Sequence, residues 1–168
     1  MLFSSGVTIA ADYDKGMHAY NSGDFKTALA EWTPIAEQGD ARAQATLGIM
    51  YGNGDGVPQN DKIAVYWYAK AAEQGHAMAQ YNLAVTYRRS NSVPKNYKAA
   101  VKWYTRAAEQ GDFRAQYDLA TVYSEGKGVP KNDKIAVKWY ARAAEQGHAK
   151  AQYHLGLSYS NGSGVKKS

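Results

Sequence analysis

The chain has 168 residues, a net charge of +5, 45% hydrophobic side chains and no cysteine. The missing thiol excludes disulfide staples, thiol catalysis and thiolate metal sites, and no apolar run approaches the roughly 18 residues of a membrane span. The charge is uneven: residues 1–40 hold two basic and six acidic side chains, residues 41–168 eighteen basic and nine acidic, so the body of the chain favours anionic partners.

Residues 1–11 are uncharged and end in Thr8-Ile9-Ala10-Ala11. Such a small-residue ending resembles the cleavage end of a secretory signal. It predicts a periplasmic or secreted protein, with a cytoplasmic one as the alternative, and leaves residues 1–11 as a signal remnant or an unstructured terminus. Residues 12–39 are predicted to form a first helix pair. Pro34 falls inside its second helix and is expected to kink it.

From there a fixed period governs the chain. Ala-Glu-Gln-Gly begins at Ala36, Ala72, Ala108 and Ala144, 36 residues apart each time. A constant interval of this size marks stacked repeats. The predicted units are 40–75, 76–111, 112–147 and a shortened 148–168. In the first, Ala41, Gln44, Leu47, Gly48 and Tyr51 trace one helical face. The cluster Gly52-Asn53-Gly54-Asp55-Gly56 must end that helix A. Asn60-Asp61 then offers an N-cap. Ala64, Trp67, Tyr68, Ala71 and Ala72 trace a second helix B, stopped at Gly75.

The second unit replaces the loop glycines with Ser90 and Ser92, which predicts a different loop shape. The last unit contains helix A alone. Its apolar side chains, Leu155 and Tyr159, are therefore expected to dock on a second copy of the chain, or the natural chain to continue past Ser168.

Little in the sequence points to catalysis. His76 and His148 occupy the turn position that Asp40 and Asp112 hold in sister units, so capping or solvent contact is their expected role. No His-Glu-x-x-His or other metal spacing occurs, and the glycine loops lack the spacing of a phosphate-binding loop. Neither a cofactor nor a metal is expected. Lys70, Arg106 and Arg142 share one helix-B position, with Glu73, Glu109 and Glu145 three residues on; pairing at i, i+3 on a solvated face accounts for them. No nucleic-acid module is present, so nucleic acid is not an expected partner.

The pattern Ala43-Gln44-x-x-Leu47-Gly48-x-x-Tyr51-x-x-Gly54-x-Gly56-Val57, followed by Ala64-x-x-Trp67-Tyr68-x-x-Ala71-Ala72-x-x-Gly75, resembles the Sel-one-like repeats, a branch of the tetratricopeptide-like helical repeats. Gly16, Gly23-Asp24-Phe25, Ala28 and Trp32 resemble a plainer tetratricopeptide unit. The resemblance implies an all-α, right-handed solenoid of antiparallel helix pairs. It further implies a non-catalytic scaffold that binds a protein or peptide in a concave groove lined by the A helices. Under it, Tyr81, Asn82, Tyr117, Asp118, Tyr153 and His154 face the groove. Val85, Arg88, Thr121, Ser124, Leu157 and Ser160 extend the lining, and Arg42, Arg114 and Lys150 stand at its edge. A basic, tyrosine-lined groove suits an extended acidic peptide. The alternatives are that these tyrosines pack between neighbouring A helices, or that the basic, tyrosine-rich surface holds a polyanion or glycan.

Overall fold

The computed structural model describes residues 11–165. The N-terminal segment expected to be a signal remnant lies, but for Ala11, outside the described residues. Within them the chain forms helices in sequence order: α1 Tyr13–Asn21, α2 Phe25–Glu37, α3 Ala41–Asn53, α4 Asp61–Glu73, α5 Ala77–Arg89, α6 Tyr97–Glu109, α7 Phe113–Glu125, α8 Asp133–Glu145 and α9 Ala149–Asn161. Each packs on its neighbours in sequence. The A helices are α1, α3, α5, α7 and α9; the B helices are α2, α4, α6 and α8. The result is an all-α solenoid.

Every helix begins on a side-chain cap, which satisfies backbone N–H groups that have no partner in the first turn. Asp12, Asp24, Asp40, Asn60, Asn96, Asp112 and Asn132 supply seven of these caps. His76 and His148 supply the other two through Nδ1, which accepts from Ala79 N at 3.3 Å and Ala151 N at 3.2 Å. Of the two roles expected of these histidines, capping is the one observed.

Helices α3 and α7 end on Gly54 and Gly126 in the left-handed region, φ 84° and 71°. Helix α5 cannot end that way at a serine, so Ser90 turns to extended backbone, φ −58° and ψ 145°. Its hydroxyl accepts from Ser92 N and Val93 N and donates to Asp61 Oδ2 at 2.6 Å. The loop differs in shape, as the substitution predicts. At Pro34 the helix runs on to Glu37.

The core lies between the two helix layers. Leu47, Leu83 and Leu119 are buried in successive units beside Trp32, Trp103 and Tyr104. Burial of each leucine contributes roughly 2 kcal/mol. Alanines at Ala43, Ala72, Ala79, Ala108 and Ala115 let the backbones approach.

A chain of glutamines ties unit to unit. Gln44 Nε2 donates to Ala36 O of the preceding B helix at 2.9 Å, while its Oε1 accepts from Gln74 Nε2 at 2.8 Å. Gln80 repeats this with Ala72 O and Gln110, and Gln116 with Ala108 O and Gln146. The helix-A glutamine that reaches back to the preceding unit is thus anchored within its own unit by Gln74, Gln110 or Gln146 of the recurring Ala-Glu-Gln-Gly. That motif's glycine holds φ between 84° and 106° at all four sites, which turns the chain from B helix to next A helix.

Helix α9 closes the described chain without a covering helix. A Cβ added at Gly156 would meet nothing within 4 Å, whereas at the sister residue Gly48 it would overlap the Tyr68 ring. Leu157 is 43% exposed and Tyr159 62%.

Candidate binding cleft

Helices α5, α7 and α9 present their side chains to one cleft of about 480 Å³. Tyr81, Phe113 and Tyr117 form apolar walls, with His148 at the start of α9. Arg89 and Lys150 supply positive charge, and Asp118 lies at the base. The Tyr117 ring lies 4.7 Å from that of His148 and 5.7 Å from that of Tyr140. Such contacts hold the aromatic surface rigid.

Asp118 is only 3% exposed, and its charge is met from all sides. Arg88 Nη1 donates to Oδ1 at 2.9 Å, Arg89 Nη2 to the same oxygen at 3.3 Å, and Tyr81 Oη to Oδ2 at 3.3 Å. Arg88 also reaches Glu125 Oε2 at 3.4 Å. A buried carboxylate persists only with such pairing. Burial and the Asp118 charge push the Tyr81 phenol up to about 12. Burial likewise raises the Tyr104 phenol beside Arg88, whose hydroxyl has no hydrogen-bond partner among the described residues.

The residues predicted to line a groove therefore divide. Tyr81, Tyr117, Asp118 and Lys150 meet in the cleft. Ser124, His154 and Leu157 meet in a smaller one of about 180 Å³ between α7, α8 and α9, where His154 stacks on Tyr140 at 5.2 Å and 9°. Tyr153 stands 68% exposed. Val85 packs against the core, and Asn82 is half-buried. The hydroxyls of Thr121 and Ser124 are spent on carbonyls of their own helix, Tyr117 O and Thr121 O, and Ser160 does the same at Leu157 O.

The predicted cations are also partly spent. Arg88 is bound to Asp118 and Glu125. Arg114 pairs with its cap residue Asp112 at 2.6 Å and lies over the Tyr81 ring; Arg42 pairs with Asp40 at 3.1 Å and lies over Tyr13. Sequence reasoning missed Arg89, Phe113 and His148 as lining residues. Their only signal was register: Phe113 and His148 flank the turns that follow the recurring motif.

One prediction is corrected outright. Lys70, Arg106 and Arg142 form no ion pair with Glu73, Glu109 or Glu145 among the described residues. Instead Lys70 lies over Tyr66 at 5.0 Å, Arg106 over Trp103 at 4.9 Å and Arg142 over Trp139 at 4.7 Å. The face of an indole or phenol ring attracts a cation.

Stacked helix pairs, bridged unit to unit and displaying a cleft built from three successive A helices, define a helical-repeat protein of the solenoid class. The chain belongs to the Sel1 repeat family, with repeats matched at residues 41–76, 77–112, 113–148 and 149–168. A Sel1 repeat protein from Oxalobacter formigenes is 40% identical, with a TM-score of 0.87 over 93% of this chain and 64% of its own. The c5321 protective antigen of uropathogenic Escherichia coli, which displays the same repeat fold, is 34% identical, with a TM-score of 0.88 over 93% of this chain and 34% of its own. Cysteine rich protein B of Helicobacter pylori is 25% identical, with a TM-score of 0.61 over 79% of this chain and 95% of its own. The chain thus spans under two thirds of the length of the first two. No curated protein matches it. Sel1 repeats are in general protein–protein interaction modules, and their fold is typically a non-catalytic scaffold. No described helix is long and apolar enough to cross a membrane.

Proposed function

We propose that this protein is a non-catalytic scaffold that holds an acidic peptide segment of a partner protein on its A-helix face. The observation that carries this reading is the cleft between α5, α7 and α9, where fixed aromatic walls stand beside the cations of Arg89 and Lys150. Rigid aromatics offer contact area at low entropic cost, and arginine and tyrosine are enriched at binding hot spots. Arg89 is suited to reach a ligand because its side chain remains 61% exposed while touching Asp118. Likeness to a bacterial protective antigen supports an envelope or extracellular setting for this role.

The test is fluorescence polarisation against a panel of acidic peptides and their neutral amide counterparts. Tyr117→Ala, Arg89→Ala and Lys150→Ala are expected to weaken the acidic peptides by about 1–2 kcal/mol each. Lys138→Ala, on α8, is expected to bind like wild type. Equal binding of acidic and neutral peptides, or loss confined to Lys138→Ala, would overturn the assignment. Arg88→Ala is the poorer probe, since it strips a buried carboxylate of its main partner.

A further inference from the structure

Most of the positive charge on the A-helix face is already paired, Lys150 excepted. Arg42, Arg88, Arg89 and Arg114 all contact carboxylates there. On α6, by contrast, Lys98, Lys102 and Arg106 recur at i, i+4 and i+8, and on α8 Lys134, Lys138 and Arg142 do the same. All six are exposed, and none has a carboxylate within 4.0 Å among the described residues. The register makes them two parallel rows one repeat apart, with successive cations about 6 Å apart along each helix. Helix α4 continues the pattern with Lys62 and Lys70.

The carboxylates nearby do not cancel this charge. Asp133 at the start of α8 is paired with Lys131, while Asp61 at the start of α4 accepts from Ser90 and keeps its charge. Glu73, Glu109 and Glu145 end α4, α6 and α8 one turn beyond Lys70, Arg106 and Arg142, with no ion pair to them among the described residues. Three of the six cations are also held in place. Lys102 and Arg106 both lie against Trp103, at 4.8 and 4.9 Å, and Arg142 lies over Trp139. Long side chains fixed this way lose less freedom when a ligand binds.

The geometry points to the outer face of α6 and α8, extended by α4, as a second binding surface whose ligand is a linear polyanionic glycan bearing sulfate or phosphate groups. Ordered rows of mostly lysine point charges match a flexible chain of anions whose spacing varies. Single-stranded nucleic acid needs bare aromatic faces for its bases, and here the indoles are buried or capped by cations. A membrane surface needs apolar side chains beside the charges; Ile63 and Tyr66 on α4 are 36% and 53% exposed, but no large hydrophobic among the described residues of α6 or α8 is exposed.

Heparin affinity chromatography with a salt gradient tests this. The probes are heparin, desulfated heparin, single- and double-stranded DNA, and vesicles containing anionic phospholipid. Wild type is expected to retain heparin, with affinity falling linearly in log salt concentration, and to release desulfated heparin early. The fourfold variant Lys98→Gln, Lys102→Gln, Lys134→Gln, Lys138→Gln leaves both Trp-stacked arginines in place. It should bind heparin roughly tenfold more weakly or worse at low salt, with an unchanged circular dichroism spectrum. Arg89→Gln with Lys150→Gln, in the cleft, should keep wild-type retention. Unaltered retention by the fourfold variant, loss in the cleft variant instead, no heparin binding by wild type, or tighter binding of DNA or vesicles than of heparin would each overturn the proposal.

Discussion

The glutamine bridges give the same residue different weights at different places in the array. Gln80 is 3% exposed and makes two hydrogen bonds, to Ala72 O at 3.1 Å and from Gln110 Nε2 at 2.8 Å. Each neutral bond contributes about 1 kcal/mol net, and truncation of a buried side chain adds to the loss. Gln80→Ala should therefore cost about 2–3 kcal/mol. Gln152 holds the sister position in α9 but is exposed and makes one bond, to Ala144 O at 3.2 Å. Water can replace that bond, so Gln152→Ala should cost under about 1 kcal/mol. Urea denaturation of both variants, with a double-mutant cycle through Gln110→Ala, measures the difference. The cycle should return a coupling of about 1 kcal/mol between Gln80 and Gln110. A Gln152→Ala loss as large as that of Gln80→Ala, or no coupling in the cycle, would refute the bridge as a source of stability.

Three further outcomes follow from packing and titration. Trp103 is buried at the centre of the array, so Trp103→Ala should cost about 3–5 kcal/mol by chemical denaturation; a loss below about 1 kcal/mol would contradict its burial. A Cβ on Gly16 would overlap the fully buried Trp32 indole, while one on Gly156 meets open space. Thermal melts should thus show Gly16→Ala destabilised and Gly156→Ala unchanged or stabilised by up to about 1 kcal/mol; the same sign for both would be wrong. Burial holds the His76 imidazole below its usual pKa of 6.5, against the opposing pull of Asp40. The unfolded chain therefore takes up the proton first, and the stability present above pH 6.5 is lost as pH falls below it. His76→Asp, the cap found in sister units, should flatten the decline in melting temperature between about pH 7.5 and 5.5. An unchanged pH slope would show that His76 does not contribute to it.

Much of this architecture is legible in the amino-acid sequence because it is local and periodic. Helix faces, breaker glycines and caps need only neighbours within a turn or two, so the helix pairs and the capping by His76 and His148 follow from spacing. The altered loop at Ser90 follows from the chemistry of one residue. What the sequence leaves open is how side chains on different units share space. Arg88 and Asp118 are 30 residues apart and both look like ligand-facing charges, yet they bury each other. The cations of α4, α6 and α8 look paired with glutamates in the linear pattern, but aromatic faces hold them. Arg89, Phe113 and His148 become a cleft wall only when α5, α7 and α9 come together. These outcomes turn on distances of a few ångströms between helices one repeat apart, and only the tertiary packing sets those distances.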